Sequence, residues 1–174
     1  MIRVVVADLA RCPADAVVRP TSSHFDSLTP ALENLDRAGG PGFRARLRVS
    51  DSLALGGAVV TAGGGYLPAE FVIHAVIRDE PSQAPTLQLV ARAWRAALQQ
   101  ASEWEFAHVA APLLGADGGA GALPTPDVVE LLIEVLEQHR ARSTFPADVS
   151  FVVDNADQKD LIEAAVRRAS ARAS

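Results

Sequence analysis

The sequence predicts a layered α/β domain. Short β-branched runs alternate along the chain with apolar stripes at helical spacing. The composition is that of a folded core, 49% hydrophobic and 21% charged. A length of 174 residues corresponds to about one domain. At that size roughly 70% of the unfolded surface can be buried without disulfide staples. One domain over residues 1–174, with its core at about 2–168, is the expected organisation.

Ile2 to Ala7 is a β-branched run closed by Asp8, as in a buried strand. Ala16-Val17-Val18 is a shorter strand stopped by Arg19-Pro20. Thr29-Pro30 opens a helix, with a capping hydroxyl and proline in the first turn. Leu28, Leu32 and Leu35 share one face of it, and Gly39-Gly40-Pro41 ends it. Phe43 to Val49 alternates apolar residues with arginine and fits either a strand or a helical turn. Gly57 to Thr61 and Phe71 to Val76 are strands separated by a glycine-rich loop.

Pro85 to Ala101 is a helix whose stripe is Leu87, Val90, Ala91, Trp94, Ala97, Leu98 and Ala101. Phe106 to Leu114 is a strand running into glycines, and Pro124 to His139 is a helix. Val149 to Val153 is the last strand. Asp157 to Ala171 is a closing helix with Leu161, Ala165 and Val166 turned inward.

The formal net charge is −5, and Lys159 is the sole lysine among 16 basic residues. An acidic domain is poorly suited to neutralising phosphates, so nucleic acid is an unlikely partner. The cluster Arg44, Arg46 and Arg48 reads as a solvated face. Apolar runs break well before the ~18 residues of a membrane span, so no membrane partner is expected. The N-terminal apolar stretch is too short for a signal peptide, and a cytoplasmic location is the default expectation. A single cysteine, Cys12, excludes a disulfide framework and a multi-cysteine zinc site. It reads as a passive thiol, although Arg11 beside it is of the sign that lowers a thiol pKa.

Two segments are candidates for ligand chemistry. From Gly115 to Gly121, four glycines in a seven-residue stretch lie between a strand and a helix. Such a loop can turn its N–H groups onto a phosphate at a positive helix end, or be a flexible turn. Its glycine spacing is neither that of a Walker loop nor of the dinucleotide fingerprint, and Asp117 inside it would repel an anion unless turned to solvent. Asp8, at the carboxyl end of a strand, can accept from an exocyclic amine or cap the turn that follows. His74 and His108 lie within apolar strand patterns and read as satisfied core residues, and Trp94 and Trp104 as packing residues. Ser22, His24 and Asp26 hold the side-chain types of a nucleophile, a base and an acid. No metal-ligand pattern is present, and no cofactor is expected.

Several segments together resemble the macro domain, the ADP-ribose-binding fold. Val4-Val5-Val6-Ala7-Asp8-Leu9 is similar to its first strand and Gly-Asp-Ile turn, and Asp15-Ala16-Val17-Val18 to its Asp-Ala-Ile-Val strand. Arg37-Ala38-Gly39-Gly40-Pro41 resembles the end of its first long helix. Gly57-Ala58-Val59-Val60-Thr61 and Leu67-Pro68-Ala69-Glu70-Phe71-Val72-Ile73-His74-Ala75-Val76 resemble Gly-Glu-Ala-Val-Val-Thr and Leu-Pro-x-x-Tyr-Val-Ile-His-x-Val. Ala111-Pro112-Leu113-Leu114-Gly115, the glycines after it and Leu123-Pro124 resemble the phosphate loop.

The resemblance implies a three-layer α/β/α fold with a central mixed sheet of about six strands. It implies a binding module for ADP-ribose or a related adenine nucleotide, with an ADP-ribosylated protein as a further partner. Asp8 and Leu9 would hold adenine, and Gly115, Ala116, Asp117, Gly118, Gly119, Ala120 and Gly121 the diphosphate. Ser22 would stand at the distal ribose, and Val153 where an aromatic often stacks on adenine.

The departures concern hydrolysis. Where the family reads Asn-Ala-Ala-Asn, this chain reads Arg19-Pro20-Thr21-Ser22, and Thr29-Pro30-Ala31 replaces a Gly-Gly-Val loop. Pro30 has no N–H to offer a phosphate. Binding without strong hydrolase activity is therefore expected. A scaffold domain that has lost the nucleotide is the alternative.

Overall fold

The computed structural model describes residues 1–49, 53–116 and 121–173. In chain order the elements are β1 (Ile2–Val6), a 3-10 turn (Leu9–Arg11), β2 (Ala16–Ser22), α1 (Pro30–Val49), β3 (Ala58–Ala62), β4 (Phe71–Arg78), α2 (Leu87–Glu103), β5 (His108–Ala111), α3 (Thr125–Arg140), β6 (Asp148–Val153) and α4 (Ala156–Ala173). The strands form one sheet in the order β1-β6-β5-β2-β4-β3. All neighbours are parallel except β3, which runs antiparallel to β4. The result is a three-layer α/β/α fold around a mixed six-stranded sheet.

Alternation along each strand assigns the two faces. Ala16, Val18, Ile73, Ala75 and Ile77 belong to one core with Val90, Trp94 and Leu98 of α2, Leu132 and Leu136 of α3, and Ile162 of α4. Val17, Val72, Ala110 and Val152 belong to the other, with Leu32, Leu35 and Phe43 of α1. Each fully buried large side chain contributes about 1.5–3 kcal/mol. Trp94 also satisfies its indole N–H on Leu132 O at 3.0 Å.

The run Ile2–Val6, expected to be buried, is an edge strand with Arg3, Val5 and Val6 exposed. Four further expectations are corrected or resolved. First, β2 continues through Arg19 and Pro20 to Ser22, every residue of it buried. β5 pairs only with Ala16 and Val17, so beyond them one side of β2 carries no ladder and proline is tolerated. Second, Gly39-Gly40-Pro41 ends the first helical stretch of α1 as expected, and the segment left open between strand and helical turn is a second helical stretch. Gly40, at φ 79° and ψ −177°, sits at a kink, and Phe43 to Val49 continues beyond it as helix. Third, the strand expected over Phe106 to Leu114 is only His108–Ala111. Fourth, Leu161 is exposed. Ile162 takes its place on the buried face of α4, with Ala165 buried and Val166 packed partly against the core as expected.

Candidate functional site

The carboxyl ends of β1, β5 and β6 open onto a cleft of about 410 Å³. Its walls come from Val6 to Leu9 after β1, Pro112 and Leu113 after β5, Val152 to Asp154 at the end of β6, and the start of α1 at Thr29, Ala31, Leu32 and Asn34, with Gln158 of α4. Parallel strands place their loops together at this end, where ligands of open α/β sheets lie.

Asp8 reaches the cleft through the turn after β1 and caps that turn, one carboxylate oxygen accepting from Ala10 N at 3.0 Å. A carboxylate has further lone pairs, so it can still accept from a ligand N–H. Leu9 is buried beside it, and Val153, at the end of the neighbouring β6, also lines the cleft. Cys12 lies behind this turn, its thiol 3.5 Å from Asp8 O. Burial, and then the Asp8 carboxylate, push the thiol pKa up. These outweigh the lowering expected from Arg11 and favour the protonated thiol.

The start of α1 offers fewer donors than a typical helix end. Pro30 has no N–H. Leu32 gives its N–H to Thr29 Oγ1 at 3.3 Å, and Glu33 gives its own to Thr29 O at 3.0 Å. Ala31, which lines the cleft, is left to supply a donor at the positive end of the helix.

Sequence reading overlooked Asn34, Asp154 and Gln158 of the lining. The signal for two of them is the cap of α4. Gln158 N–H donates to Asn155 Oδ1 at 3.0 Å, and Asp154 N–H donates to Gln158 Oε1 at 3.0 Å. An Asn-x-x-Gln spacing at a helix start is close to a capping box. It fixes both Asp154 and Gln158 at the cleft rim.

Of the other predicted residues that are described, Ser22, Gly115, Ala116 and Gly121 are not part of this lining. Gly115 is buried at φ 84°, and a Cβ there would come within 2.9 Å of Val90. Gly121, at φ 67°, would bring a Cβ within 2.6 Å of Ala84 Cβ. Ala116 is buried, with its N–H on Leu113 O at 3.0 Å. Asp117, Gly118, Gly119 and Ala120 lie outside the described residues.

Ser22 is fully buried. Its hydroxyl donates to the Asp26 carboxylate and accepts the N–H groups of His24 and Asp26, each at 3.2 Å. The hydroxyl closes a turn, and His24 takes part through its backbone. The arrangement brings serine and aspartate together without placing the imidazole on the serine, as base-assisted attack requires.

The largest fully buried polar side chain is Arg19, which the sequence presents as a strand terminator and as the start of the departure from Asn-Ala-Ala-Asn. Arg19 of β2 is fully buried and forks onto Asp36 of α1 at 2.7 and 2.9 Å. It also donates to Phe25 O at 2.8 Å and faces His74 Nδ1 at 3.4 Å. His74 Nε2 meets Thr61 Oγ1 at 2.8 Å, and Phe43 stacks on the ring. Desolvation, then the neighbouring Arg19 charge, hold the His74 pKa well below 6.5. The imidazole is neutral, accepting from Arg19 at Nδ1 and donating at Nε2. His74 is thus a satisfied core residue, as expected. His108 bonds Ser150 Oγ at 2.8 Å. Among the described residues no cluster of three or more histidine, cysteine or acidic side chains is arranged for a metal. No described helix is long and apolar enough to cross a membrane.

Comparison with known proteins gives a consistent family. An uncharacterized protein of Aeropyrum pernix is 38% identical over 128 residues, which are 74% of this chain and 66% of that relative. An uncharacterized protein of Aquifex aeolicus is 28% identical over 137 residues, 79% of this chain and 81% of the relative. Among solved structures, the Trypanosoma brucei macrodomain in complex with ADP-ribose superimposes with a TM-score of 0.82 at 15% identity, over 95% of this chain and 68% of that one. The Oceanobacillus iheyensis macrodomain with ADP gives 0.81 at 16% identity, over 97% and 91%. These two share the fold. The sequence profile described as Macro domain matches residues 22–132, more than half the chain. The chain therefore belongs to the macro domain family.

Proposed function

We propose that the chain binds ADP-ribose or a related adenine nucleotide in the cleft above β1, β5 and β6, without strong hydrolase activity. The observation that carries this reading is the open cleft of about 410 Å³ with Asp8, Leu9 and Val153 on its walls. Asp8 accepts from the exocyclic amine of adenine while its other bond holds the turn rigid. Val153 and Leu113 supply apolar surface for the base. The Ala31 N–H and the α1 dipole face the phosphates. Absence of hydrolysis is argued from Ser22, whose hydroxyl is spent inside its own turn, and from Arg19, which is fully buried. The solved macrodomains that hold ADP-ribose and ADP lend support through the shared fold.

A scaffold role is the second reading. One observation favours it: among the described residues the cleft lining contains no lysine, arginine or histidine to offset a diphosphate. Titration calorimetry with ADP-ribose, ADP and AMP separates the two. The binding reading expects saturable heat, with Asp8→Ala weakening ADP-ribose by about 1–2 kcal/mol, the worth of a charged hydrogen bond. An unchanged affinity in that variant removes Asp8 from the site. Absence of heat with all three ligands leaves the scaffold.

A further inference from the structure

The two edges of the sheet are treated differently. At β3 the Arg46 guanidinium donates to Ala62 O and Gly63 O at 3.1 and 3.0 Å. That charge covers the end of the strand and discourages pairing. At β1, Val5 and Val6 are 39% and 50% exposed, and Met1 is 69% exposed. No bulge or proline interrupts β1, and no described strand pairs with its outer side.

The ladder shows which groups are open. Ala7 donates its N–H to Val153 O, and Met1 O accepts from Val149 N. Odd-numbered residues of β1 therefore turn their backbone groups toward β6. Ile2, Val4 and Val6 turn theirs off the sheet.

We infer that β1 is a homodimer interface, pairing antiparallel with β1 of a second copy about a twofold axis at Val4. This register is self-complementary. Val4 meets Val4, and Ile2 meets Val6, so the outward N–H and C=O groups of all three residues are used. On the other face of the strand, the stem of Arg3 lies across from Val5 of the second copy.

The helix beneath adds charge complementarity. Ile2, Arg3 and Val4 share a groove of about 290 Å³ with Glu163, Val166 and Arg167 of α4. Glu163 has only an exposed Lys159 contact at 3.8 Å, and Arg167 has no ion-pair partner among the described residues. The twofold axis runs α4 antiparallel to its copy, turning Glu163 of one protomer toward Arg167 of the other. The paired sheets form one continuous sheet of twelve strands, twice the six of each copy.

Sedimentation velocity at high micromolar concentration tests the interface. The expected mass is twice 18.3 kDa. Val5→Lys places a cation beside the partner's Arg3 on an exposed position. Val4→Pro removes the outward N–H at the axis without touching the groups that face β6. Each substitution should weaken dimerisation by about tenfold or more. Circular dichroism confirms that each variant is folded, and Val5→Lys, at an exposed site, keeps the test available if Val4→Pro is not. A wild-type chain that stays at 18.3 kDa, or a dimer that persists undiminished in either folded variant, overturns the inference.

Discussion

Arg19 shows how one buried charge is made tolerable. Its guanidinium is wholly withdrawn from water and fixed by Asp36, the Phe25 carbonyl and the His74 ring. Removing one partner leaves the other charge buried and unpaired. Arg19→Ala should therefore lower unfolding free energy by about 3–5 kcal/mol, measured by urea denaturation. Arg19→Met with Asp36→Leu should recover much of that loss, since a buried pair replaced by apolar groups of similar volume is often neutral. Recovery absent from the double variant would mean that the pair fixes the fold through more than its charge. This network was illegible in the sequence. An arginine before a proline reads as a strand end, and Asp36 seventeen residues later carries no local sign of its partner. Asp8 was legible as a strand-end carboxylate: of its two readings the turn cap is seen directly, and the same side chain lines the cleft.

Among the elements, those with long uninterrupted periodicity were read well and those shaped by tertiary contact were not. The stripe Val90, Ala91, Trp94, Ala97, Leu98 and Ala101 is the buried face of α2, while Leu87, expected to begin it, is exposed in the helix's first turn. The short β5 depends on what packs across it, which no local pattern encodes, whereas the break in α1 falls at Gly40, inside the Gly39-Gly40-Pro41 signal. The segment from Gly115 to Gly121 illustrates the difference. Its glycines were read for what they offer a phosphate, yet Gly115 and Gly121 are required by Val90 and Ala84, which leave no room for a Cβ. Gly121→Ala combines a left-handed backbone with a Cβ 2.6 Å from Ala84 Cβ and 3.0 Å from Ala84 Cα. It should destabilise the domain by about 1–3 kcal/mol in thermal or urea unfolding. A neutral effect would show that the segment shifts freely against residue 84 and is not held by that contact.

For the molecule as a whole, the two faces of the sheet differ in kind. Three helices cover one face over a wholly apolar core, whereas α1 covers the other with an ion pair and a neutral histidine in its midst. Acid should therefore attack the α1 side. His74 is held neutral in the folded state, its pKa well below 6.5 through burial and then the Arg19 charge. In the unfolded chain the same imidazole titrates near 6.5. Above that pH neither state binds the proton, and the contribution is fully present. Below it the unfolded chain takes up a proton that the folded chain refuses, so stability falls as pH falls, by up to about 1.4 kcal/mol per pH unit. Protonation inside the fold would set a second cation 3.4 Å from the Arg19 guanidinium, and Asp36 is already engaged by that arginine at two oxygens. Chemical denaturation between about pH 7 and 5 should show this slope in the wild type. In His74→Gln, which keeps polar atoms beside Thr61 and Arg19 and does not titrate, the slope should be shallower by about one proton's worth, whatever its absolute stability. Parallel slopes in the two proteins would show that the acid sensitivity of the fold arises elsewhere.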